Sequence, residues 1–234
     1  MPATSQHVRD LVIVARAMQR RLTAEFEAAQ RPDFDVAPAV FLTGQQPLII
    51  GMEDYSRESR DELFGSVIAS HIVATKATGA LFVASTWVTP DECEDVRPSQ
   101  SPNRREQLSV RAYDTWGFVG SASADVYRSD GMPPTLMPWR NSFSEEWPLR
   151  DPADERHWQP TDDLGVIDTA LICSLRLVYR SDAEGRALRT WLLAPDGVGP
   201  DEACPCGAGR PFSECCQLEW ERMAIQCART QESR

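Results

Sequence analysis

The chain has 234 residues, 42% of them hydrophobic, and a formal net charge of −11. That length fits one domain of ordinary size plus a small appendage. The acidic balance argues against sequence-independent DNA or RNA binding, which needs a cationic face, and no apolar run approaches the roughly 18 residues of a membrane-spanning helix.

Residues 6–29 predict an amphipathic helix, with Val8, Leu11, Val12, Ala15, Met18, Leu22 and Phe26 recurring at i, i+3/i+4 spacing and Arg31-Pro32 closing the element. Its Leu11-Val12-Ile13-Val14-Ala15 run is too short for an export signal and is flanked by charge on both sides. Residues 38–52 hold two short apolar runs, Ala39-Val40-Phe41-Leu42 and Leu48-Ile49-Ile50. Gly44-Gln45-Gln46-Pro47 breaks them, which predicts a hairpin. Residues 59–76 read as a second helix with Ser59 and Glu62 as a capping box. Phe64, Val67, Ile68, His71 and Ile72 form its apolar face, which makes His71 a core histidine rather than a ligand. Lys76, the sole lysine, leaves no other choice for lysine chemistry.

Ala80 to Ala84 and Trp87-Val88 read as a buried strand, followed by a charged loop from Pro90 to Arg105. Gln107 to Tyr113 alternates Leu108, Val110 and Ala112 against Ser109, Arg111 and Tyr113, a strand with one wet face. Trp116 to Tyr127 is its hairpin partner. Residues 131–163 carry six prolines with Trp139, Trp147 and Trp158, a long irregular segment anchored by aromatics. Val166 to Tyr179 is regular, as strand or helix, and Trp191 to Pro200 reads as a linker. This order predicts an α+β fold: a largely antiparallel sheet with flanking helices in a body spanning 1–195, then a small C-terminal module spanning 200–234.

That module is the most explicit segment. Cys204, Cys206, Cys215 and Cys216 place four thiols within thirteen residues. Four soft ligands are what a closed tetrahedral zinc site requires. A Cys-x-Cys turn points two thiolates at one ion. Gly207 and Gly209 let the backbone fold back with positive φ, and the turn can aim N–H groups at the sulfurs. Phe212, the one large apolar residue in the arc, is expected to pack under the loop. Disulfides fit poorly, because adjacent Cys215 and Cys216 are badly placed to bridge each other. The remaining Cys93, Cys173 and Cys227 are scattered, which suits a reducing, cytoplasmic setting.

At Cys204-Pro205-Cys206-Gly207, Gly209, Phe212 and Cys215-Cys216 the chain resembles the SEC-C motif. That zinc module ends the bacterial SecA translocase ATPase and many otherwise unrelated bacterial proteins. The resemblance covers about 13 residues and implies one structural zinc ion on Cys204, Cys206, Cys215 and Cys216. It also implies protein partners, such as a chaperone or the ribosome. Ala208 stands where the family carries serine, and Pro211, Ser213 and Glu214 stand where it carries lysines, which leaves Arg210 as the only basic residue in the arc. No phosphate-binding loop accompanies the motif.

Other candidates for chemistry are sparser. His157 sits beside Trp158 in the irregular segment, and His7 near the N-terminus reads as solvated. Asp91, Glu92, Glu94 and Asp95 could offer oxygen ligands but read as a solvated turn, with Arg104 and Arg105 as their pairing partners. Cys93 among carboxylates is a blunted nucleophile. The sequence therefore predicts a cytoplasmic interaction or adapter protein carrying structural zinc. The alternative is an enzyme whose site lies between the 90–106 loop and the Trp-rich segment, using Arg104, Arg105 and His157, with the zinc module for docking.

Overall fold

The structure, a computed structural model, describes residues 5–52, 55–89, 103–141, 143 and 165–223. Helix α1 (Ser5–Ala28) is followed by strands β1 (Ala39–Thr43) and β2 (Leu48–Gly51). A long helix then runs through α2 (Arg57–Glu62), a π-helical turn (Leu63–Ile68) and α3 (Ala69–Thr75). Strands β3 (Gly79–Val88), β4 (Arg105–Asp114) and β5 (Gly117–Tyr127) follow, with the two-residue strands β6 (Thr135–Leu136) and β7 (Arg140–Asn141). Helices α4 (Val166–Leu177), α5 (Ala183–Leu193) and α6 (Phe212–Cys215) come next, and residues 217–223 are again helical.

The strands form one antiparallel sheet in the order β2-β1-β3-β4-β5-β6, with β7 also paired to β5. This is the α+β architecture expected from the order of elements. The sheet is the middle layer. On one face α1 lays Leu11, Ala15, Met18, Leu22 and Phe26 against Leu81, Val83, Leu108, Val110 and Ala122. On the other, Phe64, Ile68 and Ile72 of the long helix and Leu171, Ile172 and Leu175 of α4 cover Val40, Leu42, Ala80 and Phe82. Period-2 alternation along β3 sends odd residues to one core and even residues to the other, which explains its near-continuous apolar sequence.

Several expectations need correction. The wet face of β4 is not wet: Ser109 and Tyr113 are buried beneath the second helical layer. The 57–75 helix starts earlier than the sequence suggests. Ser56 is its N-cap, and Ser59 completes the capping box in place of Glu62. Its buried face is also rotated. Phe64, Ile68, Ala69, Ile72 and Val73 are buried, whereas His71 and Val67 are exposed. The π turn, with its i→i+5 bonds, widens the repeat past 3.6 and moves the i+3 positions off the core. His71 is therefore a surface residue. Lys76 ends this helix in the left-handed conformation (φ 51°), exposed at the turn into β3.

The segment Val166–Leu177 is helix, and Trp191 lies in the last turn of α5 rather than in a linker. Within the irregular segment Trp139 does act as an anchor, donating from Nε1 to Thr23 Oγ1 at 3.0 Å. Phe143 presses so close to β5 that a Cβ on Gly120 would stand 2.7 Å from its ring, so glycine is required there. Trp147 and Trp158 lie outside the described residues.

Candidate metal centre

The C-terminal segment folds back on itself before it makes a site. Residues 200–204 run antiparallel to 210–213. Cys204 N–H donates to Arg210 O at 2.9 Å, Phe212 N–H to Glu202 O at 2.8 Å and Ser213 N–H to Pro200 O at 2.9 Å. The reversal between them passes through Gly207 (φ 80°) and Gly209 (φ 70°). A side chain at either position would force an L-residue into the left-handed region, which is why both are glycine. The one-turn helix α6 then carries Cys215 and delivers Cys216 at its end.

This places the sulfurs of Cys204, Cys206, Cys215 and Cys216 within 4.8 Å of one another. The Cys206–Cys215 sulfurs are 3.5 Å apart and the Cys215–Cys216 sulfurs 3.6 Å. A tetrahedral thiolate site with bonds of about 2.3 Å needs sulfurs about 3.8 Å apart. The four are unbridged thiols, close enough together to hold one metal ion.

The surroundings suit thiolate. Burial pushes the Cys204 thiol up, but hydrogen bonds from Thr190, from the Cys206 backbone N–H and from the neighbouring thiols outweigh it and bring it below the ordinary cysteine value. Cys206 is raised, by burial first, although the Ala208 N–H donates to it. Burial and the adjoining sulfurs drive Cys216 well above its usual value, while the Thr190 hydroxyl pulls the other way. The glycine turn thus aims two amides at the sulfurs. A cation at the centre would relieve the crowding of four acidic protons by displacing them.

Beneath the sulfurs lies a small core. Phe212, Cys204 and Cys216 are buried against Ala187 of α5, with Val198, Trp220 and Met223 packed around them. Phe212 meets Trp220 edge-on at 6.2 Å, and Trp220 lies 5.2 Å from Trp191. Phe212 therefore does pack under the loop. Thr190, fully buried, approaches Cys204 Sγ to 3.4 Å through its hydroxyl. The cysteine spacing gives no hint of this residue. The one available signal is the i, i+3, i+4 face of Ala187, Thr190 and Trp191 on α5.

The other sequence candidates among the described residues do not converge on this centre. Arg104 lies over the Trp87 ring at 4.9 Å, and Arg105 pairs with Asp125 at 3.5 Å. His157, Asp91, Glu92, Glu94, Asp95 and Cys93 lie outside the described residues, and His7 is exposed on α1. A cleft of about 260 Å³ opens beside β3, lined by Asp33, Asp35, Ser85, Thr86, Trp87, Glu106 and Arg128. Its charges are already satisfied. Glu106 accepts from Arg128 Nε at 2.6 Å, Arg128 Nη2 at 2.8 Å and Ser85 Oγ at 2.8 Å, Asp35 pairs with Arg128 at 3.6 Å, and Asp33 pairs with Arg31 at 3.6 Å.

Burial raises the Glu106 carboxyl, but Arg128 and Ser85 outweigh it and hold it below the ordinary glutamate value. A depressed folded pKa contributes stability above the unfolded value and loses it as pH falls. Glu106→Gln is expected to cost about 2 kcal/mol at pH 7 through loss of the charged hydrogen bonds. The difference in urea midpoint between the two proteins should narrow as pH falls below about 4. An equal difference at pH 7 and pH 3.5 would rule the ion pair out as its source.

Nothing comparable was found among known proteins: no protein family, no curated protein and no solved structure matches the chain.

Proposed function

We propose that the cluster is a structural zinc site of the SEC-C type, held by Cys204, Cys206, Cys215 and Cys216, in a cytoplasmic protein that works as an interaction or adapter protein. The observation that carries this reading is the convergence of four sulfurs within 4.8 Å on a chain reversal that has almost no core of its own. Four protein ligands fill a tetrahedral zinc and leave no position for water or substrate, so the metal orders the backbone and does no chemistry. Zinc is favoured over iron–sulfur or copper chemistry because a compact, closed set of four thiolates suits a single tetrahedral d¹⁰ ion.

The metal orders an outward-facing surface. Gly207, Ala208, Gly209 and Arg210 at the reversal are exposed, and so is Leu218 on the following helix. A protein partner fits this surface better than nucleic acid, since Arg210 is the one basic residue of the arc and the chain carries −11 overall. Less supports an enzyme in the body: the cleft beside β3 has its carboxylates paired, and Arg105 is engaged by Asp125. No helix among the described residues is long and apolar enough to cross a membrane.

The test is metal content and partner capture on the same samples. The intact protein is expected to hold one zinc per chain and to retain a protein partner from lysate. Cys204→Ser/Cys206→Ser should lose both. Equal capture by the metal-free variant would move the interaction to the body, and an intact protein without zinc would end the reading altogether.

A further inference from the structure

The metal site is not built from the cysteine loop alone. Its inner wall is helix α5, which belongs to the body. Asp182 caps the start of α5 by accepting from Gly185 N–H at 2.7 Å. Arg189 Nη1 donates to Leu177 O at 2.8 Å, at the end of α4, and also to Arg180 O. Ser70 Oγ, on α3, donates to Leu192 O at 2.9 Å. The Arg189 and Ser70 bonds pin one side of α5 to the second helical layer, while Ala187 and Thr190 on another side press into the cysteine cluster.

We infer that Thr190 is a positioning residue of the metal site: its hydroxyl donates to the Cys204 sulfur and ties the metal centre to the body through α5. This rests on the reading of the four cysteines as metal ligands.

The chemistry of the hydroxyl decides its direction. Thr190 Oγ1 has one proton and two acceptors in reach, Arg186 O at 3.2 Å and Cys204 Sγ at 3.4 Å. A metal-bound thiolate has no proton to give, so in the contact with Cys204 Sγ the hydroxyl is the donor, its one proton shared with Arg186 O. Thr190 is 0% exposed, so no water can take over that bond. Outer-sphere donors of this kind orient a ligand and draw off part of its charge, and their loss typically weakens metal binding. Threonine fourteen residues upstream of the first ligand lies well outside the cysteine motif. The metal-binding unit accordingly runs from Asp182 through residue 223, not only through the loop.

The test uses the full chain, with Zn²⁺ affinity measured by competition against a chromogenic chelator and Co²⁺ as the spectroscopic probe. Thr190→Val, which keeps the shape and removes the hydroxyl, is expected to weaken Zn²⁺ binding by about 10-fold. It should also shift the thiolate-to-cobalt charge-transfer band to lower energy, because the sulfur loses a donor that stabilises its lone pairs. Thr190→Ser should restore both. A role limited to packing would leave the band where it is and would not be rescued by serine. Wild-type affinity and an unshifted band in Thr190→Val would overturn the inference while leaving the metal site standing. An intact protein that binds neither ion would overturn both.

Discussion

On the proposal of a zinc site, stripping the protein with a chelator is expected to unfold residues 200–223 while the sheet stays folded. The sheet has two cores of its own, and neither includes a residue of the cysteine loop. The loop has only Phe212 and two of its own cysteines buried in its core, with Ala187 supplied by α5. Burying a phenylalanine contributes about 2–3 kcal/mol, whereas each residue ordered costs about 1–2 kcal/mol of backbone entropy. The metal must supply the difference, and structural zinc is worth on the order of 10 kcal/mol in small modules. Hydrogen exchange offers a direct readout. The amides of Cys204, Phe212, Cys216 and Trp220, bonded to Arg210, Glu202, Phe212 and Cys216 carbonyls, should lose protection together. Amides in β3 and β4 should not. Tryptophan emission should change too, as Trp220 leaves Trp191. Full protection of residues 204–216 in metal-free protein would mean that the aromatic cluster alone folds the loop.

Much of this architecture is legible from residue pattern because the signals are local. The four thiols, the two glycines and Phe212 lie within one short arc, and their spacing already points to a cluster that could hold a metal ion. The β1–β2 hairpin follows from two short apolar runs broken by Gly44-Gln45-Gln46-Pro47, β3 from its apolar run, and the β4–β5 hairpin from the period-2 alternation of β4. What the pattern hides is whatever depends on a distant partner. Alternation along β4 reports polarity, and polarity suggested exposure. Arg111 and Tyr113 are instead partnered by Asp168, 57 and 55 positions later. The π turn is invisible too: Phe64, Val67, Ile68, His71 and Ile72 fit a 3.6-residue face well, and the pattern carries no sign of the wider turn that buries Phe64, Ile68 and Ile72 with Leu171 and Leu175 of α4. Thr190 is hidden because nothing in a lone hydroxyl announces the sulfur it will meet.

Asp168→Ala is expected to destabilise the body more than any surface substitution, by about 2–3 kcal/mol, the full cost of a buried pair being reduced because the Arg111 side chain is 38% exposed. Asp168 stands in the first turn of α4, where a carboxylate also complements the helix dipole. It accepts from Arg111 Nη1 on both oxygens at 3.3 Å and takes a short hydrogen bond from the Tyr113 hydroxyl. Tyr113 is fully buried and Asp168 nearly so. Burial, together with the Asp168 charge, holds the Tyr113 hydroxyl well above the usual tyrosine value, so it remains a donor throughout the physiological range. Alanine at 168 would strand that donor and leave the Arg111 charge without its counter-ion. Tyr113→Phe removes only one donor from a carboxylate that keeps Arg111, and should cost about 1–2 kcal/mol. The decisive comparison is Arg111→Met combined with Asp168→Ala. If the penalty comes from an uncompensated charge, the double variant should be less destabilised than the sum of the single ones, because both halves of the ion pair are gone. The melting point of Asp168→Ala should fall on the order of 10 °C, and part of that should return in the double variant. Strict additivity would mean that the three side chains act as separate packing elements rather than as one charge-balanced unit joining α4 to the sheet.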